Sequence, residues 1–137
     1  MKGYKFLNDL TSDVMFEAHG KDLKELFENS AMAMFSVICQ LKKVEAVNAA
    51  DIEVEAENAS ELLFSWLQAL IAKVDIDEMF FSKFSIIEMD EKHLKAKAYG
   101  EPISPEKGGT VVKAVTNYGF KLEKSPEGYK AVVSLDI

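Results

Sequence analysis

The sequence contains one cysteine, three prolines, two histidines and one tryptophan, and several of these scarcities exclude a class of protein. Cys39 has no second cysteine to pair with. Its apolar neighbours Val37, Ile38 and Leu41 predict a buried, reduced thiol of the kind expected in a cytosolic protein. With no cysteine pair and no His-Glu-x-x-His, the chain has no zinc framework. The seven glycines form no Gly-rich loop leading into Lys-Ser/Thr, and Gly108-Gly109-Thr110 reads instead as the opening of a strand, so a phosphate cradle is not expected. Positive charge is also short: 16 Lys and Arg stand against 23 Asp and Glu, a net charge of −7. A chain this acidic lacks the basic face with which a protein grips a phosphate backbone, so no tight direct binding of nucleic acid is expected. Long hydrophobic runs are missing too. The longest, residues 31–39, is broken by Ser36 and falls far short of the ~20 residues that span a bilayer. The first residues, Met1-Lys2-Gly3-Tyr4-Lys5-Phe6, carry too little apolar material for a signal peptide. A soluble, cytoplasmic chain with no membrane partner is expected.

The composition itself is that of an ordinary globular protein, 48% hydrophobic and 28% charged, which is enough for one core and a single domain over residues 1–137. Residues 4–7 read as a short strand, and 8–12 are rich in turn formers. In residues 13–18, Val14, Phe16 and Ala18 alternate with Asp13, Met15 and Glu17, the period of a half-buried strand. From about Lys21 the period changes. Leu23, Leu26, Phe27, Met34, Ile38 and Leu41 fall on one helical stripe, with acids near its start and Lys42 and Lys43 near its end. Residues 51–57 alternate as a strand. A second helix follows, with Ser60 as candidate N-cap and Leu63, Trp66, Leu67, Leu70, Ile71 and Val74 along its apolar face. Residues 80–89, 94–100, 111–122 and 129–137 are strands; a Pro- and Gly-bearing loop spans 101–109, and Ser125-Pro126-Glu127-Gly128 makes the last turn. The pattern is α+β: a mainly antiparallel sheet of six or seven strands with two amphipathic helices packed on one face.

Few residues offer chemistry. His19 and His93 sit at strand edges as generic surface histidines, and a Cys39–His nucleophilic pair conflicts with a buried thiol. The acids are more suggestive. Along the last strand Tyr129, Ala131, Val133, Leu135 and Ile137 share one face, while Lys130, Val132, Ser134 and Asp136 share the other. Asp136 is either a solvated strand end or a ligand meeting Asp13 and the terminal carboxylate of Ile137. Three converging carboxylates repel unless a divalent cation neutralises them, and hard oxygen donors suit Ca²⁺ or Mg²⁺ rather than Zn²⁺.

Over essentially its full length the chain resembles the archease family. The resemblance is carried by Phe6-Leu7-x-Asp9-Leu10-Thr11-Ser12-Asp13, which is similar to the family's acid–His–Thr–Ala–Asp signature, and by the segment from Gly20 through Phe35. It continues in Leu62-Leu63-Phe64-x-Trp66-Leu67, Ala96-Lys97-Ala98-Tyr99-Gly100-Glu101, Val112-Lys113-Ala114-Val115-Thr116 and Leu135-Asp136-Ile137, all in the expected order. The resemblance implies a non-enzymatic accessory factor for tRNA splicing that activates a tRNA-splicing ligase by promoting its guanylylation and repeated turnover. An alternative it implies is a chaperone-like modulator of a tRNA cytosine methyltransferase. It also implies a divalent metal site, Ca²⁺ foremost with Mg²⁺ or Mn²⁺ as alternatives, held by Asp13, Asp136 and the carboxylate of Ile137. Asp9, Lys113 and Glu101 match further family positions and are additional candidates.

The departures from the family pattern are local. Leu10 replaces the signature histidine, Val111 an acid, and Asn117-Tyr118 a Tyr-His pair; the loop after Glu101 lacks a histidine. These changes remove polar groups around the expected site and bear on how well this chain activates its partner. A stand-alone metal-dependent hydrolase is the reading from a different class. It needs a general base beside the metal, and Glu17 and His19, the nearest candidates, have no supporting motif.

Overall fold

The computed structural model describes residues 3–7 and 13–137; Asp9 and Leu10 lie outside the described residues. In chain order the elements are β1 (Tyr4–Phe6), β2 (Asp13–Gly20), α1 (Leu23–Ile38), β3 (Asn48–Glu55), α2 (Ala59–Asp77), β4 (Met79–Met89), β5 (His93–Pro102), β6 (Ala114–Ser125) and β7 (Gly128–Asp136), with single 3-10 turns at Leu41–Lys43 and Pro105–Lys107. The α+β class, the antiparallel strands and the two helices are as expected. The seven strands divide between a four-stranded sheet, ordered β1-β2-β7-β6, and a three-stranded sheet, ordered β3-β5-β4. Each helix touches both: α1 packs on β2, β7 and β4, and α2 on β3, β4, β5 and β6. The indole N–H of Trp66 donates to the carbonyl of Phe27 at 3.0 Å and joins the helices.

The alternation in β2 and β7 explains the four-stranded sheet. Val14, Phe16 and Ala18 lie opposite Leu135, Val133 and Ala131, and all but Val14 are fully buried. These residues face the helices with Leu26, Phe27, Met34 and Phe35 of α1 and Leu62, Leu63, Trp66, Leu67 and Leu70 of α2. Each such large side chain contributes about 1.5–3 kcal/mol by leaving water. Asp22 caps α1 by accepting from the amide of Glu25 at 2.8 Å, while Glu25 reaches back to the amide of Lys21 at 2.9 Å. The first bond satisfies an orphan donor of the first turn, and the second ties the residue before the cap to that turn.

Several boundaries differ from the sequence reading: β3 begins at Asn48 and ends at Glu55 rather than spanning 51–57, β5 runs on to Pro102 and β6 to Ser125, and three further differences have a tertiary or side-chain reason. First, α1 stops at Ile38 rather than continuing to Lys43. The amide of Gln40 donates to Lys107 at 2.8 Å and its side chain to Glu106 at 2.7 Å, drawing the chain out of the helix toward the loop after β5. Second, the cap of α2 is Asn58, which accepts from the amide of Glu61 at 2.9 Å, not Ser60. Third, residues 111–113 stay outside β6, because the loop before them is tied to α1: the amides of Gly109 and Thr110 donate to Ile38 and Val37 at 2.9 and 2.8 Å.

Candidate functional site

The register of β2 and β7 sets Asp13 directly opposite Asp136. Buried pairs on the inner face, Phe16 with Val133 and Ala18 with Ala131, lock that register. A slip of one residue turns the apolar set outward. Directly opposed side chains in an antiparallel pair share a face with Cβ atoms about 4.5–5.5 Å apart, where like charges are destabilising. Among the described residues neither carboxylate has a hydrogen-bond or ion-pair partner. The outer face of the sheet can therefore be read in rows across β2, β7 and β6: Asp13–Asp136–Ala114 at the end, then Met15–Ser134–Thr116.

Two features surround the pair. The main-chain N–H of Lys113 donates to the carbonyl of Asp136 at 2.7 Å, which anchors Lys113 beside the acids. Lys113 is exposed, and among the described residues its ammonium has no ion-pair partner. The second feature is a bulge. Thr116 faces Ser134 and Lys121 faces Val132, so the four residues Asn117, Tyr118, Gly119 and Phe120 stand opposite Val133 alone. Gly119 has φ +65°, and a Cβ there would stand 3.1 Å from the methyl of Met15, so the bulge folds against the outer face. From α2, Phe64 meets the ring of Phe120 edge-on at 5.3 Å, and Gln68 accepts from the amide of Val115 at 2.7 Å. Ser134, on the outer face, is nevertheless fully buried, and among the described residues its hydroxyl has no partner.

The other candidates lie apart from this end. Glu101 belongs to β5 in the second sheet. Its carboxylate pairs with Lys107 at 2.8 Å and accepts from the amide of Glu45. The amide first and Lys107 second hold it below the usual carboxylate pKa. That ties two loops together and does not bring Glu101 to Asp13. Glu17 and His19 share the outer face with Asp13, but His19 lies six residues along the strand, about 20 Å at the usual rise. It bonds to Glu17 at 2.7 Å. Burial works to raise the Glu17 pKa, yet the bond to His19 and the charge of Lys5 outweigh it and lower the value. Cys39 is buried as expected, and burial pushes its thiol pKa up to about 12, which makes it an inert group. Among the described residues no three His, Cys, Asp or Glu side chains gather to hold a metal. A site at Asp13 and Asp136 therefore needs a further oxygen donor, and the carboxylate of the adjoining Ile137 is of the right chemistry. The donor set of carboxylates without nitrogen or sulfur fits Ca²⁺ or Mg²⁺.

Sequence reasoning placed Ser134 on the same face as Asp136 but gave it no role. The four-residue bulge in β6 was missed as well, because it shows only in the pairing of β6 with β7.

The fold and this end of the sheet define a small α+β domain that presents paired acids and a free lysine rather than an assembled catalytic constellation among the described residues. The chain belongs to the archease family: the model described as the Archease protein family (MTH1598/TM1083) matches residues 4–137. A protein archease from Methanosarcina acetivorans is 39% identical over 99% of this chain and 97% of its own length, and one from Pyrococcus abyssi is 42% identical over 86% and 87%. The solution structure of Methanobacterium thermoautotrophicum protein 1598 superposes with a TM-score of 0.83 at 37% identity over the whole of both chains. A crystal structure from Thermotoga maritima, described as an archease and possible chaperone, shares the fold with a TM-score of 0.69 at 17% identity. No helix among the described residues is long and apolar enough to cross a membrane.

Proposed function

We propose that this chain is an accessory factor for tRNA splicing that activates a tRNA-splicing ligase, promoting its guanylylation and multiple turnover, through a divalent-cation site formed by Asp13, Asp136 and the carboxylate of Ile137. The ligase is the partner that the family resemblance implies. The observation that carries the site is the direct opposition of Asp13 and Asp136 on β2 and β7, with no ion-pair partner for either among the described residues. A bound cation, Ca²⁺ foremost, supplies the positive charge that lets these carboxylates share one end of the sheet. The inner-face pairs of β2 and β7 hold the two aspartates in register, and the Lys113 amide holds the carbonyl of Asp136. The exposed ammonium of Lys113 is placed to meet an anionic group of the partner or its nucleotide. Activation then comes from binding one state of the ligase more tightly than the other.

The test is a multiple-turnover RNA-ligation assay with the cognate ligase. Asp13→Ala and Asp136→Ala are each expected to abolish stimulation while leaving the protein folded by circular dichroism. Stimulation that survives both substitutions overturns the assignment of the site. A second reading, a chaperone-like modulator of a tRNA cytosine methyltransferase, is favoured by the description of the Thermotoga maritima relative as a possible chaperone. Affinity capture from native cytosol followed by mass spectrometry separates the two, because each names a different RNA enzyme as the recovered partner.

A further inference from the structure

Between the last turns of α2 and residues 103–112 lies a cavity of about 250 Å³, walled by Ile38, Ile71, Val74, Phe80, Ile103 and Val112. Val111 also borders it and is 76% exposed, and Ile103 is 43% exposed. Exposed apolar surface gathered around a concavity marks a contact site, where scattered single residues do not. The walls are fixed before any partner arrives. The amides of Gly109 and Thr110 donate to the carbonyls of Ile38 and Val37 at 2.9 and 2.8 Å. A Cβ on Gly109 would collide with the Val37 carbonyl, so the loop lies flat against the end of α1. A preformed concavity costs little ordering on binding. Its rim is acidic. Asp75 lines the cavity, and the Ile103 amide donates to the carbonyl of Glu78 at 2.9 Å, which sets Glu78 beside Ile103. Among the described residues neither carboxylate has an ion-pair partner. The last turn of α2 also contains no base, so both acids stand at the negative end of the helix dipole, where a cation is the favoured neighbour.

We propose that this cavity docks a partner protein through one apolar side chain flanked by lysine or arginine, the apolar group entering the cavity and the base meeting Asp75 and Glu78. The inference rests on the ligase reading made above, which supplies the partner. An enzyme that handles tRNA carries the basic surface that an RNA backbone demands, and the acidic rim complements it. The cavity is smaller than the ~300–1,000 Å³ of pockets that enclose a small molecule. It suits the single anchoring side chain around which protein interfaces concentrate their affinity. A second copy of this chain carries a net charge of −7 and would bring acid to acid. Val112 lines the cavity and the amide of Lys113, the next residue, is bonded to Asp136, so one partner can fill the cavity while reaching the Asp13 end.

The experiment titrates the full chain, fluorescently labelled, with the cognate ligase, read by anisotropy and by multiple-turnover ligation. Val111→Lys puts a charge at the mouth of the cavity, and Asp75→Lys reverses the charge of its rim. Each is expected to weaken ligase binding by about 10-fold or more. Each is also expected to raise the concentration needed for half-maximal stimulation while leaving the plateau unchanged. Asp75→Lys places a base at a helix C-terminus, so its melting temperature is expected to stay level or rise, which separates lost docking from lost folding. Wild-type affinity in both variants overturns the docking cavity and leaves the ligase reading standing. Loss in only one of the two overturns the paired apolar and basic occupant. A concentration-dependent dimer in sedimentation that Val111→Lys dissolves assigns the face to a second copy and overturns the proposal. Failure of the wild type to bind or stimulate the ligase overturns the ligase reading itself, and this inference with it.

Discussion

The outer face of the three-stranded sheet and the Asp13 end of the four-stranded sheet treat acidic residues in opposite ways. On the three-stranded sheet every acid of β3 meets a base across the ladder: Asp51 faces Lys97, Glu53 faces Lys95 and Glu55 faces His93. Lys97 bonds Asp51 at 2.7 Å, His93 reaches diagonally to Glu53 at 2.7 Å, and Lys83 lies over the ring of Tyr99 at 5.3 Å. On the four-stranded sheet the register sets Asp13 against Asp136. The first arrangement is complementary by itself. The second leaves like charges facing each other, a local conflict of the kind that marks functional sites in otherwise self-consistent folds.

The largest expected effect comes from breaking what enforces that conflict. Phe16 is fully buried opposite Val133 and is the bulkiest of the inner-face residues locking β2 onto β7. Phe16→Ala is expected to cost about 3–5 kcal/mol of stability, read by urea denaturation. A loss below 1 kcal/mol would show that the register, and with it the placement of Asp13, is held by something other than this core.

The second effect sharpens the comparison at its centre. If opposition of Asp13 and Asp136 is unfavourable without a cation, Asp136→Asn should raise stability in chelator by about 0.2–1 kcal/mol and remove the stabilisation that calcium gives the wild type. Both are read from thermal melts with and without calcium. A drop in stability in chelator contradicts the idea that the pair is strained.

How far these features were legible in the sequence depends on whether they are local. The alternation of Val14, Phe16 and Ala18 and of Ala131, Val133 and Leu135 is a property of short segments, and it correctly assigned the two faces of β2 and β7. The apolar stripe of α2 was equally plain. The end of α1 was not, because the chain leaves the helix for bonds between Gln40 and residues 106–108, far away in sequence. Asp13 and Asp136 stand 123 positions apart, and periodicity alone left their meeting open; the resemblance brought them together as candidates, and the ladder shows the two strands in that register. Ser134 was placed on the outer face by alternation, which gives no sign that it is fully buried there. Glu101 matched a family position, yet its side chain is engaged by Lys107 and the Glu45 amide, partners that no local pattern announces. The division of seven strands into two sheets likewise rests on pairings between distant segments.

The smallest effect probes the complementary face, where pairing predicts a pH window. The bond to Glu53 raises the pKa of His93 above its ordinary value of 6.5, and the bond to His93 lowers that of Glu53 below its ordinary 4.5. The raised His93 contributes stability that is full below 6.5 and fades as pH rises through its folded value. The lowered Glu53 contributes stability that is full above 4.5 and fades as pH falls through its folded value. The two overlap most between about pH 4.5 and 6.5. Glu53→Gln is therefore expected to lower the melting temperature slightly at pH 5.5 and not at pH 8.5, and to do so less at high salt, since Glu53 is exposed, His93 is half-buried and the pair is screened. A loss of the same size at both pH values would assign the contribution of Glu53 to packing or strand propensity, and remove charge pairing as the reason this face is quiet while the Asp13 end is not.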